Sequence, residues 1–274
     1  IFNRAIFIDF FNKAIIKDCT LYEETLQIPE TIDGYPVAGI LSLGRAIDSA
    51  KTLVIPDCVT MLSGSVFHTA GWSDQIPLET LSIGAGVSNL TVPMFYQAKN
   101  LHTITVAADN DTYCSVDGVV YTEDMSEMGV YPAGKQTTHV IPDSVANIDI
   151  IFDNISLYSN ISFQMGAGVK GYVMEDGIIY NNDKTRICLV TGELSGAYVM
   201  PDTVTALAPL AFAETGLTSV TVSKNVTSIA YAAFAGCAQL ESVTLPEGLK
   251  FIGASAFDGC EKLKRVDMPS TVRA

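Results

Sequence analysis

Apolar positions near the C-terminal end recur on a 23-residue step: Leu217, Leu240 and Leu263 fall in register, as do Val220, Val243 and Val266, and Val222, Leu245 and Met268. One step reads Leu217, Val220, Val222, Val226, Ile229, Ala233, Phe234, Gly236, Cys237, and the next repeats it from Leu240 to Cys260. Within a step, the alternation Val220-Thr221-Val222 has the period of two of a strand, and the run Ala232 to Cys237 predicts a short helical turn closed near glycine. A single step cannot bury its own apolar face. The pattern therefore predicts a repeat solenoid of the α/β class, each coil a strand, a bend and a short helical turn, with the strands stacked as a parallel sheet.

The same grid lies over Leu78, Leu81, Ile83, Val87, Leu90, Met94, Phe95 and Ala98 and restarts at Leu101. A worn copy precedes it at Leu53, Ile55, Val59, Leu62, Val66, Phe67 and Ala70, followed by a bulge, Gly71 to Gln75, that holds Trp72. A second period, of 59 residues, relates Tyr113 to Tyr172, Asp117-Gly118 to Asp176-Gly177, Tyr121 to Tyr180, and Ile141-Pro142-Asp143 to Met200-Pro201-Asp202. Each copy places Asp-Gly between β-rich segments, a strong hairpin signal, with a third strand after it at Met128–Tyr131 or Ile187–Val190. Two antiparallel excursions are expected, about residues 109–140 and 168–199. Residues 1–50 echo the repeat irregularly, with extra residues at Asp33 to Pro36, and are read as an N-terminal cap and first divergent repeat. Residues 51–274 are read as solenoid, continuous with the cap as one domain. Met268 to Val272 begins a coil that stops, which reads as a cut within the array.

Composition narrows the partners. The 274 residues are 48% hydrophobic and 17% charged, too apolar for disorder. Sixteen Lys and Arg against thirty Asp and Glu give a net charge of −14, the wrong sign for duplex nucleic acid or an anionic membrane. No apolar run approaches the roughly 20 residues of a membrane helix. The chain begins at Ile1 without the charged, apolar and small-residue succession of a signal peptide, which reads as a processed or truncated start. Six cysteines are too few for a disulfide scaffold and have no metal-ligand spacing. Cys237 and Cys260 share one repeat position, so they read as stacked buried thiols, with a ladder disulfide as the alternative.

Several phrases carry a family resemblance: Ile28 to Val37 (IPETIDGYPV), Ser115 to Tyr121 (SVDGVVY), Tyr131 to Lys135 (YPAGK), Leu240 to Pro246 (LESVTLP) and Ala256 to Cys260 (AFDGC). Their order and spacing over about residues 14 to 274 closely resemble the BspA-like leucine-rich repeat family of bacterial surface proteins. Arg45-Ala46-Ile47 and Ile150-Ile151-Phe152-Asp153 depart from it, standing where an Ala-Phe turn is usual and putting the helical side of those coils in doubt. The resemblance implies a leucine-rich-repeat fold and a secreted or surface-anchored, adhesin-like binding protein in an extracellular or cell-surface location. It supplies no binding residues.

Catalytic constellations are sparse. His68, His102 and His139 are widely separated, and no HExxH, GxSxG or glycine-rich phosphate loop occurs. Asp109-Asn110-Asp111 with Asp117 lacks the full spacing of a calcium loop. The expectation is a non-enzymatic chain with no cofactor and no metal. Two residues after the last apolar strand position stand Glu30, Asp57, Asp143, Asp202 and Glu247, an acidic bend broken by Lys224 and by Ala85, Ala108 and Ala167. Outward strand positions are hydroxyl-rich: Ser82, Thr105, Gln164, Thr221, Thr244 and Asp267, flanked by Thr80, Thr103, Ser162, Ser219, Ser242 and Arg265. Thr221 and Thr244 are candidate ligand contacts there. In the excursions the candidates are Tyr113, Tyr121, Tyr131, Tyr172 and Tyr180, expected to be exposed because loops on a rigid scaffold commonly bear function, although a small hairpin also needs some of these rings as its own core. The leading reading is an adhesion module for a host or neighbouring-cell protein or glycan; the alternative is a spacer presenting another domain at the cell surface.

Overall fold

The computed structural model describes residues 6–9, 11–19, 21–68, 75–135, 137–148, 163–166, 168–190 and 194–273. Ala70, the Trp72 bulge up to residue 74, Ile150 to Asp153, Ser162 and Ala167 lie outside the described residues. The chain divides into two compact units, Ile1–Gln136 and Thr137–Ala274.

The first unit contains β1 (Ile6–Ile8), β2 (Ala14–Ile16), β3 (Thr25–Gln27), β4 (Thr31–Ile32), β5 (Tyr35–Ile40), β6 (Thr52–Val54), β7 (Met61–Leu62), β8 (Thr80–Ile83), β9 (Thr103–Val106), β10 (Tyr113–Val116), β11 (Val119–Thr122) and β12 (Met128–Val130). Four of these stack in the parallel order β3-β6-β8-β9. The register sets Leu26 beside Leu53, Leu53 beside Leu81 and Leu81 beside Ile104, all buried, while Thr25, Thr52, Thr80 and Thr103 form the next row on the opposite face. Alternation thus puts one leucine-type side chain per coil into a shared core, and each such burial is worth about 1.5–3 kcal/mol. A second parallel ladder, β2-β5-β7, closes the coils on their other side. Strands β4 and β5 form a hairpin through Asp33 and Gly34, both at positive φ (52° and 83°), which accounts for the extra residues of this coil.

The second unit contains β13 (His139–Ile141), β14 (Phe163–Met165), β15 (Tyr172–Glu175), β16 (Ile178–Asn181), β17 (Arg186–Val190), β18 (Ser195–Val199), β19 (Ala206–Leu207), β20 (Gly216–Thr221), β21 (Ser228–Ile229), β22 (Ser242–Thr244) and β23 (Phe251–Ile252). Parallel pairing joins β13 to β14, β18 to β20 to β22, and β21 to β23. Both excursions form as expected. Strands β10-β11-β12 and β15-β16-β17 are antiparallel, and each hairpin turns at Asp-Gly with both residues at positive φ: 49° and 78° for Asp117 and Gly118, 48° and 76° for Asp176 and Gly177. The third strand of the second excursion has an additional role. It pairs in parallel with β19, Arg186 beside Ala206 and Ile187 beside Leu207.

The helical side of the repeat differs from expectation. In the runs 210–215, 232–237 and 255–260, Leu210, Ala232 and Ser255 take positive φ (59°, 50° and 56°), and Glu214, Gly236 and Gly259 do so four residues later. A left-handed residue breaks the i→i−4 ladder and turns alternate amides along the stack. Leu210, Phe212 and Glu214 donate to the carbonyls of Tyr231, Ala233 and Ala235 at 3.1, 2.8 and 2.7 Å. The next coil repeats this: Ala232, Phe234 and Gly236 donate to Ala254, Ala256 and Asp258. Each non-glycine left-handed residue costs about 1–2 kcal/mol, and three hydrogen bonds per junction, at about 0.5–1.5 kcal/mol net each, offset it. Conversely, Arg45-Ala46-Ile47, where the sequence put the helical side in doubt, lies in a 3-10 helix, Gly44–Asp48, with Ala46 and Ile47 buried. A second such helix spans Val92–Phe95, with Pro93 in its first turn.

Behind the second unit's turns runs an aromatic ladder: Tyr198 to Phe212, Phe212 to Phe234 and Phe234 to Phe257, with ring centroids 5.6, 5.1 and 5.4 Å apart. A polar ladder accompanies it. Thr215 Oγ1 and Cys237 Sγ both donate to the Phe212 carbonyl (2.9 and 3.0 Å), and Cys260 Sγ donates to the Phe234 carbonyl at 3.1 Å. All six cysteines are free thiols, so the packed alternative holds and the ladder disulfide does not form. Burial raises the Cys237 thiol pKa and pushes that of Cys260 up to about 11, which removes the thiolate needed for exchange. Alkylation with intact-mass readout, without reductant, is expected to label six thiols after unfolding. In the native protein the half-buried Cys58 and Cys114 should react before the other four. A Cys237–Cys260 crosslink in the unreduced protein would contradict this packing.

Candidate binding groove

Beyond the C-terminal ends of β3, β6, β8 and β9 the first unit carries a groove of about 610 Å³, lined by residues from all four coils. One row of its lining is the outward strand position Gln27, Val54, Ser82, Thr105, set side by side by the sheet register. A second row is Ile28, Ile55, Ile83 and Val106, and a third is Pro29, Pro56, Gly84 and Ala107. Backbone bonding continues past the strands: Ile28 N donates to Val54 O (3.0 Å), Ile55 N to Ser82 O and Ala107 N to Ile83 O (both 2.9 Å), which makes the groove floor continuous with the sheet.

Gly84 is required at that floor. A Cβ there would lie 2.4 Å from the carbonyl carbon of Pro56 and 2.5 Å from the amide nitrogen of Asp57, so the close approach of two coils depends on glycine. The acidic bend supplies Glu30 and Asp57 to the lining, and no lining residue is basic. Asp57 Oδ1 accepts from the amide of Ala85 at 2.8 Å, tying one coil to the next. In the second unit the same bend position is neutralised by the pair Lys224 Nζ to Asp202 Oδ2, 2.6 Å apart and exposed on both sides. The acidic row is thus partly consumed by structure.

At its far end the groove abuts the first excursion. Val106 N donates to Ser115 Oγ (3.0 Å), and Ile104 N donates to the Gly118 carbonyl (2.9 Å), so the hairpin covers the free edge of β9. The Asp117-Gly118 tip is itself clamped: Lys135, 8% exposed, reaches the Asp117 carbonyl at 2.7 Å and its carboxylate at 3.0 Å.

The tyrosines fall differently from expectation. Tyr121, Tyr131 and Tyr180 are 0%, 2% and 5% exposed, so the expectation of exposed rings is corrected for these three. A three-stranded excursion is too thin to bury its face with aliphatic residues alone, and the rings supply that core. Burial drives the Tyr121 phenol pKa up and that of Tyr131 up to about 12. The Tyr180 hydroxyl lies 3.1 Å from that of Tyr198. Tyr113 is half-buried, its hydroxyl receiving the Leu90 amide (3.1 Å) and donating to the Ser88 carbonyl (3.2 Å). Tyr172 is also half-buried. Thr221 and Thr244 are exposed and adjacent on the outer face of β20 and β22, beside the exposed Val199 of β18. These candidates divide between the two units.

The groove joins two patterns legible in the sequence, the hydroxyl positions Ser82 and Thr105 and the acidic bend at Glu30 and Asp57. Gln27 and Val54 complete its outer row without standing out in the sequence. Their signal was the shared phrase Leu26-Gln27-Ile28-Pro29 and Leu53-Val54-Ile55-Pro56, hidden because the hairpin of β4 and β5 lengthens the step between them. Each histidine has its own local setting: His68 Nε2 is 3.4 Å from the Pro93 carbonyl, His102 Nδ1 is 3.0 Å from Thr103 Oγ1, and His139 is buried in the second unit. Among the described residues no group of three or more His, Cys, Asp or Glu is placed to hold a metal ion. Also among them, no helix is long and apolar enough to cross a membrane.

A family model described as BspA type leucine rich repeat region (6 copies) matches residues 197–274. Those residues belong to the BspA-type leucine-rich repeats. The matched region holds the end of β18 and all of β19 to β23, the stretch in which the 23-residue step is least interrupted. Solved structures extend the likeness in fold beyond it. A leucine-rich cell surface protein from Faecalibacterium prausnitzii A2-165 is 20% identical over 97% of this chain and 87% of its own, with a TM-score of 0.52. The pneumococcal vaccine antigen PcpA is 14% identical over 95% of this chain and 78% of its own, with a TM-score of 0.56. At these identities the likeness is one of fold. Comparison with curated proteins finds no match.

Proposed function

We propose that this BspA-type protein is a non-enzymatic binding module of the cell surface and that the groove of the first unit is its binding site, with a host or neighbouring-cell molecule as partner. The observation that carries the reading is the alignment of Gln27, Val54, Ser82 and Thr105 along one concave face spanning four coils. Concave sites with a few convergent polar groups are the usual setting for ligands, and stacked coils commonly present them. Cell-surface location draws support from the Faecalibacterium neighbour, described as a cell surface protein. The sealed excursion core leaves the groove as the better-formed surface, ahead of the tyrosines.

A panel of immobilised extracellular proteins and glycans, probed with the purified chain, tests the reading. Specific, saturable binding to some member is expected. Signal at background across the panel would favour the spacer.

A further inference from the structure

We propose that the groove takes an uncharged linear polysaccharide lying across the strands, one sugar unit to each of the four coils; this rests on the groove being the binding site. The lining is periodic, and the period discriminates between polymers. Neighbouring strands stand about 4.8 Å apart, so each row of the groove repeats at that interval. An extended peptide presents same-side groups only every second residue, about 6.7 Å, and loses register with the coils almost at once. A pyranose unit in an extended 1,4-linked chain has a length close to one coil spacing. Successive sugars in such a chain are turned over, so like contacts recur at every second coil and stay in register with the stack.

The chemistry of the rows agrees. The Gln27 amide, the Ser82 and Thr105 hydroxyls and the Glu30 carboxylate are short polar groups matched to sugar hydroxyls, and Pro29, Pro56 and Val54 offer the C–H surface on which a sugar face can rest. Among the residues lining the groove there is no Trp, Tyr or Arg, so a sugar face would rest on proline and valine C–H surface rather than on a ring. Glu30 and Asp57, with no basic residue beside them in the lining, select against sulfated or uronic-acid chains. The Asp57 carboxylate, held by the Ala85 amide, is a fixed acceptor.

Calorimetric titration with 1,4-linked oligosaccharides of increasing length, from gluco-, manno-, xylo- and N-acetylglucosamine series, tests this. In the matching series affinity should rise with each added sugar up to the number of coils in the sheet and then level off, while heparin gives no groove-dependent binding. Gln27→Ala and Thr105→Ala, both at exposed positions, should each weaken the longest oligosaccharide about threefold, the worth of one hydrogen bond, with Thr227→Ala, exposed in the second unit, unchanged. Binding of a protein or peptide that Val54→Arg abolishes, with no oligosaccharide bound, would overturn the polysaccharide and leave the groove as the site. Oligosaccharide binding that survives Val54→Arg would overturn both. Affinity independent of length, or equal for heparin, would overturn the one-sugar-per-coil arrangement.

Discussion

Phe234→Ala should cost about 3–5 kcal/mol, and Phe257→Ala clearly less, although the two occupy the same position of the repeat. Phe234 is fully buried between two rings, Phe212 at 5.1 Å and Phe257 at 5.4 Å, so truncation leaves a cavity with aromatic walls on both sides. Phe257 stacks on Phe234 with an interplanar angle of 5° but is only partly buried, so part of its surface already meets water. In a repeat array the loss falls mainly on the coil and its neighbours. Urea denaturation combined with hydrogen exchange of the second unit measures both the total and its location. Equal losses at the two positions, or a loss below about 1 kcal/mol at Phe234, would refute this packing.

The second large effect is expected at the groove floor. Gly84→Ala places a methyl 2.4 Å from the Pro56 carbonyl carbon, against backbone on the neighbouring coil that has no rotamer to yield. Relief requires β6 and β8 to separate locally, at about 1–3 kcal/mol, with the groove deformed as well. Gly64 is the control. A Cβ there meets nothing within 4 Å and its φ is not in the left-handed region, so Gly64→Ala should be neutral or gain up to about 1 kcal/mol through the unfolded chain. Thermal unfolding of the two variants side by side measures the difference; a tolerated Gly84→Ala would mean the coils are not held at this distance.

How much of this was legible in the sequence depended on which interactions are local. The strand rows, the two Asp-Gly hairpins and the stacked Cys237 and Cys260 follow from alternation, turn chemistry and one repeat length, all of which a sequence displays. The runs 210–215, 232–237 and 255–260 read as helical because Ala-Ala-Phe-Ala has helix-forming composition. The left-handed conformations of Leu210 and Ala232 are fixed by amides bonding to the next coil, a non-local effect. The tyrosines show the same limit. Tyr121 and Tyr180 lie in strands whose alternation is clear, but periodicity does not reveal that each three-stranded excursion turns those rings inward as its own core. The groove was half visible, since Ser82, Thr105, Glu30 and Asp57 each stood out while the uneven steps around the β4–β5 hairpin kept Gln27 and Val54 off the grid.

A paired substitution reads directly where the binding surface lies. Val54→Arg places a long cation in the middle of the groove, whereas Thr244→Arg alters the exposed face of the second unit's sheet; neither position is buried. With both variants shown to be folded by circular dichroism, affinity for the ligand captured on the protein and glycan panel should fall at least about tenfold, roughly 1.4 kcal/mol, for Val54→Arg and remain unchanged for Thr244→Arg. Loss at Thr244→Arg with binding intact at Val54→Arg would place the site on the outer sheet of the second unit and contradict the groove.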